Sequence, residues 1–187
     1  MSLDLAGCSD GELAALAVGK RQAAYAELMR RHRESVFRLL RGLVGDSDAA
    51  VDLTQQTFIA AFAALGRYDA ERPFRAWIGR IAVNKARDWS RRRAVRRFFT
   101  FAQPIEEAHA VADTAAASDI QIADRRELER TMAAIAELPV NLRQVFVLRT
   151  IEGMSQTETA ETLGIGDKAV ETRLYRARKK LDEMLRG

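Results

Sequence analysis

The sequence contains little of what disulfide-bonded, membrane-spanning or metal-binding proteins need. Cys8 is the only cysteine among 187 residues, so no intrachain disulfide can form, and a reducing cytoplasm is the expected location. The only histidines are His32 and His109, too few for a common zinc site, and we expect neither a metal nor a cofactor. The longest uncharged apolar run, residues 58–65, is far shorter than the ~20 residues that span a bilayer. We therefore expect a soluble protein that is neither inserted into a membrane nor exported.

Proline is also scarce, with three residues, and aromatic residues make up only 7% of the chain. A chain rich in Ala, Leu, Arg and Glu with so few helix breakers favours α-helices, and its length suits one or two small domains. The net charge of +4 is modest. Arginine is nevertheless concentrated in particular segments, and a local concentration of cations is what attracts a polyanion.

The apolar periodicity predicts an all-α fold of two small helical domains joined by a flexible acidic linker. The first domain, residues 10–99, is expected to contain four helices: Glu12 to Val18, Gln22 to Leu43, Ala49 to Leu65 and Phe74 to Phe98. Residues 100–121 form the linker, since they carry acids, no Lys or Arg and little periodic apolar signal. In the second domain, residues 122–187, helical patterning stops at Pro139 and begins again from Leu142 to Ile151.

The last part of the chain has the layout of a helix-turn-helix, with two amphipathic helices split by Gly164-Ile165-Gly166. Ser155 and Glu158 fit a capping box at the start of the first helix. The apolar residues of the second helix recur every three or four positions and so share one buried side: Val170, Leu174, Ala177, Leu181 and Leu185. The opposite side presents cations for phosphates and groups that can reach base edges. The alternative is an ordinary helical hairpin with a solvated basic side.

Residues 75–97 carry nine cations against one acid, Asp88, together with Trp77, Trp89 and Asn84. Cations bind phosphates and aromatic rings stack on unpaired bases, so this stretch predicts a nucleic-acid contact. The run at positions 91–93 is expected to serve no folding purpose, because three adjacent arginines repel one another unless a polyanion is near. A lone tryptophan in a small bundle is more often structural, and Trp77 is expected to belong at least partly to the core.

Three segments follow one another at characteristic separations: DLTQQTF at 52–58, WIGRIAVNKARD at 77–88 and, after Leu138-Pro139, VETRLYRAR at 170–178. In that order they resemble the bacterial extracytoplasmic-function sigma factors of the sigma-70 family, and the match spans nearly the whole chain. The resemblance implies a subunit, not an enzyme, that gives core RNA polymerase its promoter specificity. The resemblance also implies an anti-sigma factor as a partner.

The resemblance implies roles for residues in both domains. The first domain would dock on the polymerase clamp helices through Asp52, Gln55, Gln56 and Phe58, with Gln56 standing where the family often has an acid. It would capture the melted −10 element with the loop 66–74 and the following helix, through Arg67, Tyr68, Trp77, Arg80, Asn84, Lys85, Arg87 and Arg91. The second domain would bind the polymerase flap and read the −35 element through Lys168, Glu171, Thr172, Arg173, Tyr175 and Arg176.

Other roles stay open from the sequence. The linker acids Glu106, Glu107 and Asp113 suit either a mimic of nucleic acid in a polymerase channel or a simple solubilising spacer. A sigma-like decoy that binds an anti-sigma factor without recognising promoters is a second function, although a decoy should lose the basic groups that this chain keeps. A helical enzyme would need a metal site at Asp46 and Asp48, which instead look like a loop and a helix cap, or at Glu106 and Glu107, which lie in the predicted tether.

Overall fold

The computed structural model of the chain describes residues 4–100 and 119–186, and no β-strand occurs among them. The predicted all-α fold is confirmed. Within the described residues the helices are α1 (Asp10–Val18), α2 (Gln22–Val44), α3 (Ser47–Ala64), α4 (Phe74–Thr100), α5 (Asp119–Glu137), α6 (Val140–Phe146), α7 (Gln156–Leu163) and α8 (Asp167–Arg186). Short 3₁₀ turns precede α1 at Leu5–Gly7 and follow α3 at Leu65–Arg67.

The four helices of the N-terminal half begin and end within two residues of the predicted bounds. Their starts are fixed by side chains: Ser9 and Glu12 form a capping box on α1, and the Asp46 carboxylate accepts a hydrogen bond from the Ala49 N–H at the start of α3. The helices enclose a core that includes Leu13, Leu28, Leu40, Leu53, Phe74 and Ile78. This core positions both α3 and α4 with one face toward solvent.

Arg31 of α2 fixes the N-terminal segment to the helical core. Its guanidinium donates hydrogen bonds to the backbone carbonyl oxygens of Leu5, Ala6 and Cys8 at 2.8–3.1 Å. It also forms ion pairs with Asp10 at 3.1 Å and Glu27 at 2.8 Å. These partners lie as many as 26 residues away in sequence, so local periodicity did not predict the contact.

In the C-terminal half, the helix predicted from Leu142 to Ile151 is not regular. Helix α6 begins after Pro139 and continues into a π-helical turn, Val147–Ile151, which ends with a hydrogen bond of 2.9 Å from the Glu152 N–H to the Val147 carbonyl oxygen. The capping box of Ser155 and Glu158 is present at the start of α7, as predicted. Gly164 ends that helix with a φ of 65°, in the left-handed region that glycine tolerates.

The two halves pack against each other in the described residues. Helix α7 contacts α4, and the π-helical turn contacts α2. The predicted domain bounds, 10–99 and 122–187, stay a prediction. Helices of the two halves pack against each other, so the packing marks no boundary between two domains. Residues 101–118, which make up most of the predicted acidic linker with Glu106, Glu107 and Asp113, lie outside the described residues.

Replacing Arg31 is expected to destabilise the fold. Arg31→Met should lower the free energy of unfolding by about 2–3 kcal/mol, because two carboxylates and three carbonyl oxygens lose a charged donor. Urea denaturation followed by circular dichroism measures the change. The matched control is Arg30→Met, whose exposed guanidinium contacts Glu27 alone and should cost less than about 1 kcal/mol. Equal losses in the two variants would contradict the assignment.

The same cluster predicts a pH dependence of stability. Hydrogen bonds from Arg30 and Arg31 lower the pKa of Glu27 from 4.5 to about 2. A carboxylate with a lowered pKa in the folded state stabilises the fold fully above its unfolded pKa, and this stabilisation is lost as the pH falls from about 4.5 toward 2. The wild type should therefore lose stability more steeply over that range than Glu27→Gln does. The measurement is the urea midpoint of each protein as a function of pH. Equal slopes of midpoint against pH for the two proteins would contradict the prediction.

Candidate nucleic-acid interface

The exposed face of α8 is held in place by the packing of its opposite face. Val170, Ala177 and Leu181 are buried against the rest of the C-terminal half, as predicted, and the Gln156 side-chain amide donates a hydrogen bond of 3.1 Å to the Asp167 carbonyl oxygen. This bond ties the start of α7 to the start of α8. The predicted −35 residues then lie on the outer face: Lys168, Glu171, Thr172, Tyr175 and Arg176 are exposed, and Arg173 is half-buried.

The polar groups on this face are mostly free to bind. Tyr175 is 70% exposed, and among the described residues neither Lys168 nor Arg176 has an ion pair. Thr172 differs, because its hydroxyl donates a hydrogen bond of 2.9 Å to the Lys168 carbonyl oxygen. A helix presenting two free cations beside a tyrosine has the groups that contact phosphates and base edges in a DNA groove.

Helix α4 carries the second basic face. Of the residues predicted to contact the −10 element, Arg80, Asn84 and Arg91 are exposed, whereas Trp77, Lys85 and Arg87 are half-buried. The Arg91 guanidinium forms an ion pair with Asp88 on the same helix. The Arg87 guanidinium donates a hydrogen bond of 2.8 Å to the Gln144 side-chain oxygen of α6 and so faces the C-terminal half.

The prediction that the arginine run 91–93 has no folding purpose is wrong for Arg93. Its guanidinium lies 4.9 Å from the ring centroid of Trp89 and 3.6 Å from the Asp46 carboxylate. The cation–π contact lies within α4, and the ion pair links α4 to the start of α3. Arg91 and Arg92 remain on the exposed side of the helix.

The loop before α4 is built on a cluster of aromatic rings. The ring of Tyr68 packs against those of Phe74 and Trp77 with centroids 5.1–5.2 Å apart, so Trp77 does contribute to packing as predicted. The Tyr68 hydroxyl donates a hydrogen bond of 2.6 Å to the Arg72 carbonyl oxygen, which closes the loop. Burial, with the nearby negative charge of Asp10 and Asp69, raises the pKa of Tyr68.

Beside this loop is an open cavity of about 560 Å³ whose walls come from the start of α1 and from residues 68–74. Tyr68 and Phe74 line one wall, and Ser9 and Asp10 line the other. Arg67, which precedes Tyr68 in the chain, is exposed. The volume and the mixed aromatic and polar walls suit a flat polar group such as a nucleobase.

The predicted polymerase-docking helix is α3, and one of its proposed residues needs correction. Asp52, Gln55 and Gln56 are exposed, but Phe58 is only 2% exposed and packs its ring against Phe62. Phe58 therefore does not belong to the surface. The apolar residue that α3 does expose nearby is Ile59, at 70%.

A groove between α2 and α3, missed from the sequence, adjoins that surface. It has a volume of about 870 Å³ and is lined by Met29, Arg33 and Phe37 of α2 and by Val51 and Gln55 of α3. The α2 residues are spaced by four and share one helix face, which is the signal that would have revealed it. The groove is apolar at its centre and basic at its edge.

The acidic pair Asp46 and Asp48 does not form a metal site. Asp46 caps α3 and pairs with Arg93, which gives it a structural role. Among residues 4–100 and 119–186, no three side chains of the ligating types come together as a metal site would require. No helix in the described part of the chain is long and apolar enough to cross a membrane.

Glu152 is a further polar residue that the sequence did not single out. It follows the π-helical turn, and its side chain is completely buried. All of its side-chain partners belong to the N-terminal half: the Ser35 hydroxyl donates a hydrogen bond of 2.5 Å, and the guanidinium groups of Arg38 and Arg75 lie at 3.3 and 3.8 Å. No sequence signal could have paired residues separated by more than 70 positions.

Comparison with known proteins finds relatives along most of the chain. Residues 28–96 match Sigma-70 region 2, and residues 128–181 match Sigma-70, region 4. The chain is 41% identical to RNA polymerase sigma factor CnrH of Cupriavidus metallidurans, over 95% of this chain and 94% of that protein. It is 32% identical to ECF RNA polymerase sigma factor SigM of Mycobacterium tuberculosis, over 95% of this chain and 85% of that protein.

Solved structures give the same result for the fold. The structure of CnrH in complex with the cytosolic domain of CnrY has a TM-score of 0.72 to this chain at 36% identity, covering 94% of this chain and 96% of that one. The sigma factor RpoE of Bartonella quintana, solved with the anti-sigma factor NepR, has a TM-score of 0.69 at 21% identity, covering 87% of this chain and 96% of that one. The second likeness concerns the fold alone.

The hydroxyl of Tyr68 should measurably order the loop before α4. Tyr68→Phe is expected to lower the free energy of unfolding by about 1 kcal/mol and to speed hydrogen exchange in residues 69–73, because the Arg72 carbonyl oxygen loses its donor while the ring packing is kept. Exchange measured by mass spectrometry reports the loop directly. Tyr175→Phe, on the exposed face of α8, is the control and should change neither quantity. Unchanged exchange in Tyr68→Phe would show that the bond does not order the loop.

Proposed function

The chain belongs to the sigma-70 family and is an extracytoplasmic-function sigma factor, a promoter-recognising subunit of bacterial RNA polymerase, and from this premise we propose how its residues divide the promoter between them. The N-terminal half, taken as residues 10–99, captures the melted −10 element. The C-terminal half, taken as residues 122–187, reads the −35 element. The observation that carries this proposal is the presence of two separate basic faces, on α4 and on α8, each held by an apolar face beneath it.

Recognition of the −35 element belongs to the outer face of α8. Lys168, Arg173 and Arg176 supply cations for phosphates or guanine, and Thr172 and Tyr175 lie between them. Glu171 is suited to accept a hydrogen bond from cytosine N4, and it disfavours a phosphate at its own position. Each bidentate contact to a base contributes on the order of 1–3 kcal/mol.

Capture of the −10 element belongs to α4 and the loop that precedes it. The exposed side chains of Arg80, Asn84 and Arg91 follow the strand, with Lys85 and Arg87 beside them. A base that leaves the stack enters the cavity next to the Tyr68 ring, which Trp77 supports from behind, with Arg67 preceding Tyr68 in the chain. Unstacking costs a few kcal/mol, and binding of the base offsets that cost, so strand opening needs no chemical step.

Core RNA polymerase binds the α3 surface formed by Asp52, Gln55 and Gln56, together with the groove between α2 and α3. An exposed surface with polar residues around an apolar centre is typical of a protein interface. The polymerase element that docks here is the clamp helices, as in the family, and the flap binds the C-terminal half. The linker acids Glu106, Glu107 and Asp113 serve either as a mimic of nucleic acid or as a spacer.

The chain catalyses no reaction itself and acts in the cytoplasm, where polymerase and chromosome meet. CnrH has been solved with the cytosolic domain of CnrY, and we extend to this chain a partner of that kind, an anti-sigma factor. A decoy that binds such a partner without recognising promoters is disfavoured. A decoy has no use for the exposed cations of α4 and α8, and this chain keeps them.

The −35 and −10 contacts can be tested separately. Each variant is assayed on the intact promoter and on a template in which the element that the changed residue is proposed to contact has been replaced. The experiment is run-off transcription with core polymerase from a promoter mapped by transcript sequencing. Arg176→Ala should lower transcription by roughly 5- to 150-fold when the −35 element is intact and should have no effect when that element is replaced. Asn84→Ala should lower transcription when the −10 element is intact and should have no effect when that element is replaced.

Two exposed residues on neither α4 nor α8 serve as controls: Arg21→Ala, just before α2, and Gln22→Ala in the first turn of α2. Both should transcribe as the wild type does. Losses that do not depend on the template would contradict the division of the promoter proposed above. Absence of any specific transcript from the wild type would favour the decoy.

A further inference from the structure

The end of α4 exposes two phenylalanine rings to solvent. Phe98 is 80% exposed and Phe99 is 73% exposed, and no other phenylalanine among the described residues is exposed. Val95, one turn earlier on the same side of the helix, is 55% exposed. Single apolar side chains at a protein surface are ordinary, whereas contiguous ones mark interaction sites. Val95, Phe98 and Phe99 together are called the aromatic patch below.

The aromatic patch continues the face of α4 to which we assign −10 binding. Asn84, Arg91, Val95 and Phe98 are separated by seven, four and three residues. At 3.6 residues per turn they lie within about 60° of one another around the helix, and Phe99 flanks this stripe. Phe98 is two turns beyond Arg91, about 10 Å along the axis, which about three nucleotides of a stacked strand span. A strand that follows this face beyond Arg91 therefore reaches the rings.

The charge around the aromatic patch favours a nucleic acid. Residues 91–97 carry five arginines and no acid. Arg91, Arg92 and Arg96, together with Val95, line an open hollow of about 380 Å³ beside the patch. Asp88 is the only acid of α4, and its carboxylate is paired with Arg91. Cations for phosphates next to open aromatic rings for bases are the groups with which proteins bind single-stranded nucleic acid.

The two rings leave flat faces open for stacking. Their centroids are 5.8 Å apart and their planes meet at 88°, so the edge of one ring points at the face of the other. In this T-shaped pair the ring that offers its edge keeps both faces uncovered by its partner, and the other ring keeps one. A base can stack on an uncovered face whatever its identity, because every base has a flat face of its own.

We propose that the aromatic patch is a stacking platform for a base at one edge of the melted −10 segment. Strand separation leaves the last base there without its stacked neighbour, and a phenyl ring takes the place of that neighbour. The proposal rests on the proposed function, since it takes α4 to be the −10 face. It adds to that function a contact that does not depend on the promoter sequence.

An anionic membrane fits the aromatic patch less well than DNA does. A helix that lies on a membrane combines cations with an apolar face along its length. Here the exposed apolar residues are confined to the end of α4, and Asn84 and Arg91 occupy the same face further back. A protein partner would bind the patch by apolar contact, for which leucine serves nearly as well as phenylalanine. Leucine cannot stack on a base, so it separates the two kinds of partner.

The test uses the holoenzyme formed by the full chain and core polymerase. The template is a heteroduplex of the mapped promoter whose −10 segment is already unpaired, so strand opening does not enter the measurement. The fluorescent base 2-aminopurine, which dims when it stacks, replaces one base at a time across the segment and at both edges. The wild type should quench 2-aminopurine at one edge.

The two rings are then replaced together in two ways. Phe98→Leu with Phe99→Leu should restore the fluorescence at that edge and lower the affinity for the template roughly 5- to 150-fold, the effect of losing one stacked base. Leucine is a good helix former, and both positions are exposed, so α4 should remain folded. Phe98→Tyr with Phe99→Tyr is the matched control. It keeps the rings and should resemble the wild type in both measurements.

Each failure gives a different result. Quenching that the leucine pair retains would overturn the platform. A leucine pair that weakens binding to core polymerase without DNA would overturn it too, since the patch would then be a protein interface. Loss of binding to phosphatidylglycerol vesicles, with unchanged binding to the template, would overturn it in favour of a membrane.

Asn84→Ala, measured on the same template, separates the platform from the proposed function. If Asn84→Ala and the leucine pair both bind the template as the wild type does, the assignment of α4 to the −10 element fails. If Asn84→Ala binds more weakly and the leucine pair does not, that assignment stands and the platform alone is overturned.

Discussion

Helix α2 contacts α1, α3 and α4 and also the π-helical turn of the C-terminal half, and its apolar packing fixes where the charged faces point. Leu28 and Leu39 are buried on one side of the helix, and Leu40 is buried about 100° around the helix from Leu39. Because protein interiors are packed to a density that leaves few voids, a shift of α2 would move α3 and α4 with it. Helix α2 thus supports the proposed polymerase surface on α3, the proposed −10 face of α4 and the contact between the two halves.

Arginine has two separate roles in this chain, and the presence or absence of partners within the described fold distinguishes them. Arg31 and Arg93 have carboxylate, carbonyl or aromatic partners within the fold and act as structural residues. Arg176 lies on a face without such partners among the described residues and is available to a ligand. Arg87 belongs to both groups, since it lies on the proposed DNA face and yet bonds Gln144. Counting cations in the sequence cannot separate these roles, because the partners come from distant positions.

The local features of the fold could be predicted from the sequence, and the long-range ones could not. The helices of the N-terminal half, the capping box at Ser155 and the buried stripe of α8 follow from periodicity and capping chemistry, which involve residues only a few positions apart. Phe58 was assigned to the polymerase-docking residues by a motif match, which does not record which face of a helix is buried; the structure buries Phe58 and exposes Ile59. The contacts of Glu152 join positions 117 residues apart, so no local pattern contains them. The assignment of individual residues to DNA or polymerase also remains a prediction, because a local sequence pattern does not contain contacts with other molecules.

The π-helical turn at Val147–Ile151 changes the angular position of the residues that follow it, compared with an uninterrupted α-helix. Such a turn holds one residue more than an α-helical turn, so it rotates everything that follows by about 100° relative to a regular helix. Glu152 is the first residue after it, and this rotation directs the carboxylate toward α2. In evolutionary terms, gain or loss of a single codon in this stretch would turn Glu152 away from α2 and so weaken the contact between the two halves of the molecule.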